Sequence, residues 1–409
     1  MNILFLGGLY THDDEDNIIK KSLNMPNFAA NVHQWNIING IDNINGRPID
    51  ILNADFVGSY PNEYKDIYIR KKKWSHKEGA NDYSIGFLNI FLIKHIIKII
   101  SMTINSIKWV IKEDNRKPIL IIYSMHNPFL FAGYITKMIF KKVTLCLIVP
   151  DLPTFFINNA GRGVIYRFFK KIDCCFMDFL INKYDCFVLL TKQMKDKLNI
   201  QNKPYVVIEG IASEQNMSYK NNETNSNDIT ITYTGKTDIE FGIKELLDAF
   251  QLINEDNYKL IICGNGNGDK IVKEYSLRDN RIDWRGSLTR SEVLKIQANS
   301  TILVNPRSAV EEFTKYSFPS KTIEYMLSGR PVIMNKLEGI PEEYNEYLNW
   351  FDSEDPESMA KSIIRLCNHD KQKLDIMGER AKDFILDNKN ETVQAKKMLK
   401  MINKLINEN

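Results

Sequence analysis

Two doubly wound α/β domains, each a parallel sheet flanked by helices, are the fold class that this sequence predicts. Its 409 residues exceed what one hydrophobic core serves, so two domains of roughly 200 residues follow. Short apolar runs alternate with longer stretches of helical periodicity, the pattern of buried parallel strands separated by crossover helices. A polar, Asn-rich run over 220–228 interrupts that rhythm and reads as a linker or exposed loop.

In the first half the strand runs are 3–6, 49–52, 119–123, 143–149 and 186–190, each followed by turn or helix-start residues. The longest apolar stretch, 85–111, is not a membrane span. Lys94, Lys98, Ser101, Asn105, Lys108 and Lys112 recur along it every three or four residues and draw one polar stripe down a helix. The stripe fits a core helix with a solvated edge, or a membrane-surface helix with a basic face. In the second half the runs 229–233, 259–263, 282–284, 301–304 and 331–334 repeat the rhythm and predict a second Rossmann-like unit. The domains expected are 1–212 and 213–389. Val393, Met398, Leu399, Ile402, Leu405 and Ile406 lie at helical spacing, so the stretch 390–409 is expected to cross back onto the first domain.

Lys and Arg number 54 against 51 Asp and Glu, a net charge of +3, which argues against a nucleic-acid partner. The six cysteines are scattered without Cys-x-x-Cys or Cys/His spacing, so neither a disulfide framework nor a zinc site is expected and a reducing cytoplasm fits best. The first strand runs straight into Asp13-Asp14-Glu15-Asp16 with no basic n-region or cleavage site, so export is not expected. Asp14-Glu-Asp16 has the form of a metal-binding Asp-x-Asp, but it sits in an acidic run that reads as solvated; no metal is expected.

The most informative segment is Val304-Asn-Pro-Arg307 followed by Tyr316-Ser-Phe-Pro-Ser-Lys-Thr-Ile-Glu-Tyr-Met-Leu-Ser-Gly329-Arg-Pro331. It reads as strand, loop, helix, stop and strand. Pro319 and Ser320 suit the helix start, with Ser320 capping a free N–H, and Gly329 and Pro331 suit the end. Ile323, Met326 and Leu327 form the buried stripe. Lys321 and Glu324, three apart, share another face near the N-terminal end. Helix amides and a cation suit phosphate, and a carboxylate one turn inside can accept hydrogen bonds from ribose hydroxyls. By spacing alone, the same pattern also fits a surface helix with an incidental Lys and Glu.

This segment, together with Tyr233-Thr-Gly-Lys236, Phe241-Gly-Ile-Lys-Glu-Leu-Leu-Asp-Ala-Phe250, Leu260-Ile-Ile-Cys-Gly-Asn-Gly266 and Arg285-Gly-Ser-Leu288, resembles glycosyltransferase family 4. These are retaining enzymes of the GT-B fold, in which two Rossmann-like domains face each other across a cleft. The likeness is particularly to bacterial surface-polysaccharide members with a Phe-Pro-Ser-Lys signature, and it spans most of the second domain in order. It implies that Glu324 holds the donor ribose as the second acid of the family's Glu-x7-Glu motif. It places Ser320, Lys321 and Thr322 at the diphosphate and Lys236 facing phosphate after Gly235. Arg307, Gly264, Arg285 and Tyr316 join the nucleotide-sugar site. Two positions depart from the family pattern: the first acid falls on Tyr316, and the Lys that often precedes the second-domain helix falls on Phe241.

In the first domain Tyr123-Ser-Met-His126-Asn-Pro128 follows a strand at the carboxyl end, where open α/β sheets bind ligands. The resemblance matches His126 to the family's His-x-Pro near the reacting sugar; by itself a loop histidine is more often structural. Gly7 and Gly8 fit a turn lining the same acceptor side, as does Asp151 at the end of a later strand. Lys321 and His126 are the candidate catalytic residues.

The resemblance implies a hexose or N-acetylhexosamine donor carried on a nucleoside diphosphate, with UDP the expected carrier. It implies a growing glycan or polyprenyl-diphosphate-linked acceptor, a bacterial polysaccharide role, no cofactor and no metal. The run Arg162-Gly-Val-Ile-Tyr-Arg167-Phe-Phe-Lys170-Lys171 mixes cations with aromatics and fits either a helix with core Phe residues or contact with an anionic membrane surface at the inner face. A sugar-nucleotide epimerase of related fold and a silent nucleotide-sugar-binding subunit are the alternatives.

Overall fold

The computed structural model describes residues 1–24, 26–113, 117–152, 174–200, 202–212 and 228–408. The basic and aromatic run 162–171 and the polar run 220–227 lie outside these residues. The chain divides into two compact units, one of Met1–Ile211 with Glu391–Asn409 and one of Ala212–Asn390.

The first unit is built on β1 (Ile3–Gly7), β2 (Asp50–Asn53), β4 (Lys72–Trp74), β5 (Asp82–Ser84), β7 (Ile119–Tyr123), β8 (Thr144–Val149), β9 (Cys186–Leu189) and β10 (Tyr205–Val207). They form one sheet in the order β10-β9-β8-β7-β1-β2-β5-β4, parallel except for the β4–β5 edge pair. A separate antiparallel ribbon pairs β3 (Tyr68–Ile69) with β6 (Phe87–Leu88). The central strands β1 and β7 are buried at every position, as strands covered on both faces must be. The helix Glu391–Glu408 buries Ala395, Met398, Leu399 and Ile402 in the same core as Ile37, Ile38 and Ile41 of the helix Phe28–Ile44.

The second unit orders its six parallel strands β13-β12-β11-β14-β15-β16. They are β11 (Ile229–Thr234), β12 (Tyr258–Cys263), β13 (Ile282–Gly286), β14 (Ile302–Asn305), β15 (Val332–Met334) and β16 (Asn349–Trp350). In both sheets the strand order reverses beside the first strand of the unit, between β1 and β7 and between β11 and β14. Ligands of doubly wound sheets bind outside the carboxyl ends of the strands at such a point.

The helix Ile93–Lys112 departs from either sequence expectation. Lys94 and Lys98 are buried, whereas Ile93, Ile96, Ile100 and Ile104 are exposed, so the front of the expected solvated edge is turned inward. Burial is made tolerable by backbone acceptors. Lys94 Nζ donates to the Val57 carbonyl at 3.0 Å, and Lys98 Nζ to the Asp55 carbonyl at 2.9 Å. Among the described residues, no helix is long and apolar enough to cross a membrane.

Candidate active site

In the second unit the candidate residues gather at the carboxyl edge of the sheet. The helix Lys321–Leu327 buries Ile323, Met326 and Leu327 in one core with Phe318 and Met334, and this anchors its opposite face at the end of β11. Tyr325 locks the register: its hydroxyl accepts from Thr234 N at 2.7 Å and donates to the Thr234 carbonyl at 2.9 Å. One residue earlier, the Glu324 carboxylate accepts from Lys321 Nζ at 2.9 Å and from Gln297 Nε2 at 2.8 Å, with its side chain only 16% exposed. Burial pushes its pKa up, but the charge and hydrogen bond of Lys321, the Gln297 amide and the field of Arg290 outweigh that and hold it below the usual range. Glu324 is therefore an anion presented at the strand ends, and its remaining lone pairs can accept hydroxyl protons.

Other cations stand at the ends of neighbouring strands of this sheet. Arg307, just beyond β14, lies over the rings of Phe241 and Phe313 at 5.3 and 4.9 Å, and its buried Nε has no hydrogen-bond partner among the described residues. Its backbone is fixed by Asn335, whose side-chain amide donates to the carbonyls of Pro306 and Arg307. A cation thus stands at Phe241, where the family pattern would place its Lys, but it comes from the end of a different strand. Lys236 is exposed on the loop after β11, and Tyr233 fastens that loop by donating to the Lys236 carbonyl at 2.6 Å. The fields of Arg285 and Lys321 both reach the Cys263 thiol at the end of β12, although burial dominates there and pushes the thiol up to about 11.

Gly264 shows why this edge needs glycine. Its φ is +135°, and a Cβ there would lie 1.7 Å from the Gly235 carbonyl oxygen, so only a residue without a side chain lets the two loops meet.

Three expected contacts are rearranged. Thr322 is fully buried and its hydroxyl faces Met334 Sδ at 3.8 Å, while its N–H donates to the Pro319 carbonyl; its side chain packs rather than facing a ligand. Ser320 stands at the helix start without a side-chain cap, because Pro319 supplies that acceptor. Arg285 is paired with Asp283 on its own strand at 2.7 Å. Tyr316 ends the short 3-10 turn Glu312–Tyr316 and is partly buried.

In the first unit, His126 follows β7 and precedes the helix Asn127–Ile139. Its ring packs against Phe129 at 4.8 Å, Phe56 at 5.5 Å and His95 at 5.6 Å. His126, Phe56 and His95, with Lys94, Lys98 and Glu63, line a cavity of about 340 Å³. Gly8 supports it from behind, since a Cβ there would strike the Phe56 ring at 2.3 Å. Gly8 N donates to Gln34 Oε1 at 3.0 Å, and the missing Cβ of Gly7 faces the same oxygen. Asp151 is exposed beyond β8, and its charge reaches the Tyr123 hydroxyl at the end of β7. Tyr123 Oη lies 3.1 Å from His33 Nδ1, and burial holds the His33 ring down to about 4, so it is neutral at physiological pH.

Sequence reasoning missed Gln297, Arg290, His95, Lys94 and Lys98 as site residues. Lys94 and Lys98 stood out in the sequence only as members of a polar stripe, and Gln297 is the polar member of the set its helix buries with Leu294 and Ala298.

Residues 215–384 match the family model of glycosyl transferases group 1. The second unit is a glycosyltransferase domain. The enzyme class of the chain follows from that match, and the two parallel-sheet units are those of the GT-B fold. No curated protein matches the sequence. Among solved structures, the glycosyltransferase is similar to a sucrose-phosphate synthase from Thermosynechococcus elongatus, with a TM-score of 0.64, 14% identity and 100% of each chain covered. It is also similar to the lipopolysaccharide outer core galactosyltransferase WaaB, at a TM-score of 0.62, 14% identity and 99% of each chain. For HepE of Anabaena, solved in complex with UDP, the TM-score is 0.60 and the identity 13%, with 99% of this chain and 100% of that chain covered. At such identities the likeness speaks for the fold.

Proposed function

We propose that this glycosyltransferase moves a hexose or N-acetylhexosamine, with retention of configuration, from a nucleoside diphosphate to a growing, lipid-linked glycan of a bacterial polysaccharide. The observation that carries the reading is the Glu324 carboxylate, withdrawn from solvent yet held ionised beside Lys321 at the carboxyl end of β11. In this reading Glu324 accepts from the ribose hydroxyls, and Lys321, Arg307 and Lys236 face the diphosphate. Ser320, Gly235 and Gly264 shape the loops around it, and Tyr316 stands toward the sugar. HepE, of similar fold, binds UDP, which supports a UDP-linked donor. His126 belongs to the acceptor side, where the cavity in the first unit offers imidazoles and ammonium groups.

The chemistry assigned to these residues is electrostatic. The bond from the anomeric carbon to the diphosphate breaks, and the acceptor hydroxyl bonds to that carbon on the same face. Its proton passes to the departing phosphate oxygen. Fixed cations and dipoles stabilise the departing charge, and no metal ion is assigned a part. The test is Lys321→Ala, assayed for nucleotide release with UDP-sugars in the presence of acceptor lipid. Turnover should fall by about 10²- to 10³-fold; wild-type turnover would remove Lys321 from the mechanism. Isomerised UDP-sugar formed without acceptor would replace the transferase reading by an epimerase.

A further inference from the structure

Among the described residues, the helix Ile93–Lys112 leaves an unpartnered face of the wrong character for water. Ile93, Ile96, Ile100 and Ile104, spaced by three and four residues, are 42–58% exposed, while the polar Lys94, Lys98, Thr103 and Ser106 point inward. Stripes with this period normally face a core. The chain just before the helix extends the patch with Phe91 and Leu92, 47% and 48% exposed. The adjoining ribbon adds Tyr68 and Leu88, which lie opposite each other in register and are both exposed; β6 packs on the helix. Contiguous apolar surface of this kind marks an interaction site. Its rim is cationic, because the exposed Arg70 and Lys71 follow β3 directly.

We propose that this face of the first unit rests on a bilayer surface containing acidic phospholipid. The apolar stripe enters the acyl boundary and the rim cations meet the headgroups, as for an interfacial amphipathic helix. The partner is set by charge complementarity: a cationic rim around isoleucines suits an anionic, fluid, apolar surface. Phe91 belongs both to this patch and to the wall of the cavity that holds Lys94, His95, Lys98 and His126. A phosphate-bearing head group carried in the same membrane therefore meets that cavity beside the docking face. This rests on and deepens the lipid-linked acceptor reading, and it places the acceptor's point of entry.

The test uses the full chain and sedimentation with vesicles of phosphatidylcholine, with and without phosphatidylglycerol. Wild type should sediment with the mixed vesicles and release as salt rises. Arg70→Glu with Lys71→Glu should weaken that binding by about 30-fold or more, and Ile96→Glu with Ile100→Glu should abolish it. Leu277→Glu, on the exposed surface of the second unit, should bind as wild type does. Far-UV circular dichroism and UDP calorimetry unchanged in every variant would show that fold and donor site are intact. Loss of vesicle binding with UDP binding retained supports the proposal. Wild type that ignores mixed vesicles, or Ile96/Ile100 variants that still bind them, overturns it while leaving the donor site standing. A lipid-free dimer dissolved by the same isoleucine changes would overturn it in favour of a second copy.

Discussion

Replacing Glu324 by Gln keeps the shape of the side chain and removes its charge. In the folded chain this carboxylate accepts two hydrogen bonds, from Lys321 and from Gln297, and leaves lone pairs for a ribose. Hydrogen bonds to a charged acceptor contribute about 1.5–3 kcal/mol, against about 0.5–1.5 for neutral ones. The variant should therefore lose about 1–2 kcal/mol of nucleotide binding, roughly 5- to 30-fold in Kd for UDP. Stability should change little, because the partner Lys321 is 38% exposed and an ion pair with such a member is worth at most about 1 kcal/mol. The assay is titration calorimetry of wild type and E324Q with UDP and with its 2′,3′-dideoxy analogue, arranged as a double-mutant cycle. Wild type should discriminate against the dideoxy compound, and E324Q should lose most of that discrimination. Equal discrimination by both proteins would refute the assignment of Glu324 to the ribose, whatever the change in overall affinity.

His76 is clamped between Asp42 and Asp82 at 2.8 and 2.7 Å, and these hydrogen bonds overcome burial to push its pKa up to about 9. A raised folded-state pKa gives stability that is full below the unfolded value of about 6.5 and lost as pH rises through 9, about 3 kcal/mol in all. Buried Lys98, pushed down to about 7 chiefly by burial, acts in the opposite sense over part of that window, so the readout is a difference. The urea-unfolding gap between wild type and His76→Gln should shrink from pH 6 to pH 9.5, and a constant gap would exclude the charged clamp. Gly264→Ala should destabilise the second unit by about 2–4 kcal/mol and weaken UDP binding together, read by thermal unfolding with and without UDP; an unchanged melting temperature would show that the two loops do not meet so closely. His126→Ala should lower kcat by about 10²-fold while leaving the Kd for UDP unchanged, and a matched loss of UDP affinity would move His126 to the donor.

Much of the architecture can be read from the sequence because it lies in local pattern. Ten strands announce themselves as apolar-rich runs; β1, β7, β9 and β14 among them are buried at every position, and burial on both faces writes itself as an unbroken apolar segment. β4, β10 and β16 escape that reading. They are two or three residues long, lie at or beside sheet edges, and are strands only because a neighbour pairs with them; Lys72-Lys73-Trp74 has no apolar run to announce it. The Lys321–Leu327 segment was legible for the same local reasons, since Lys and Glu three apart must share a helix face.

Tertiary packing decided what local pattern leaves symmetric. A helical stripe states that two faces differ, not which of them faces in, and in Ile93–Lys112 the carbonyls of Val57 and Asp55 draw the lysines inward. Likewise Thr322 reads as a ligand hydroxyl until Met334 claims it, and Arg307 acquires its place over Phe241 only when β14 ends beside the loop that carries that ring. Periodicity is a property of neighbours along the chain, whereas the partners of a buried charge are supplied by segments far away in sequence.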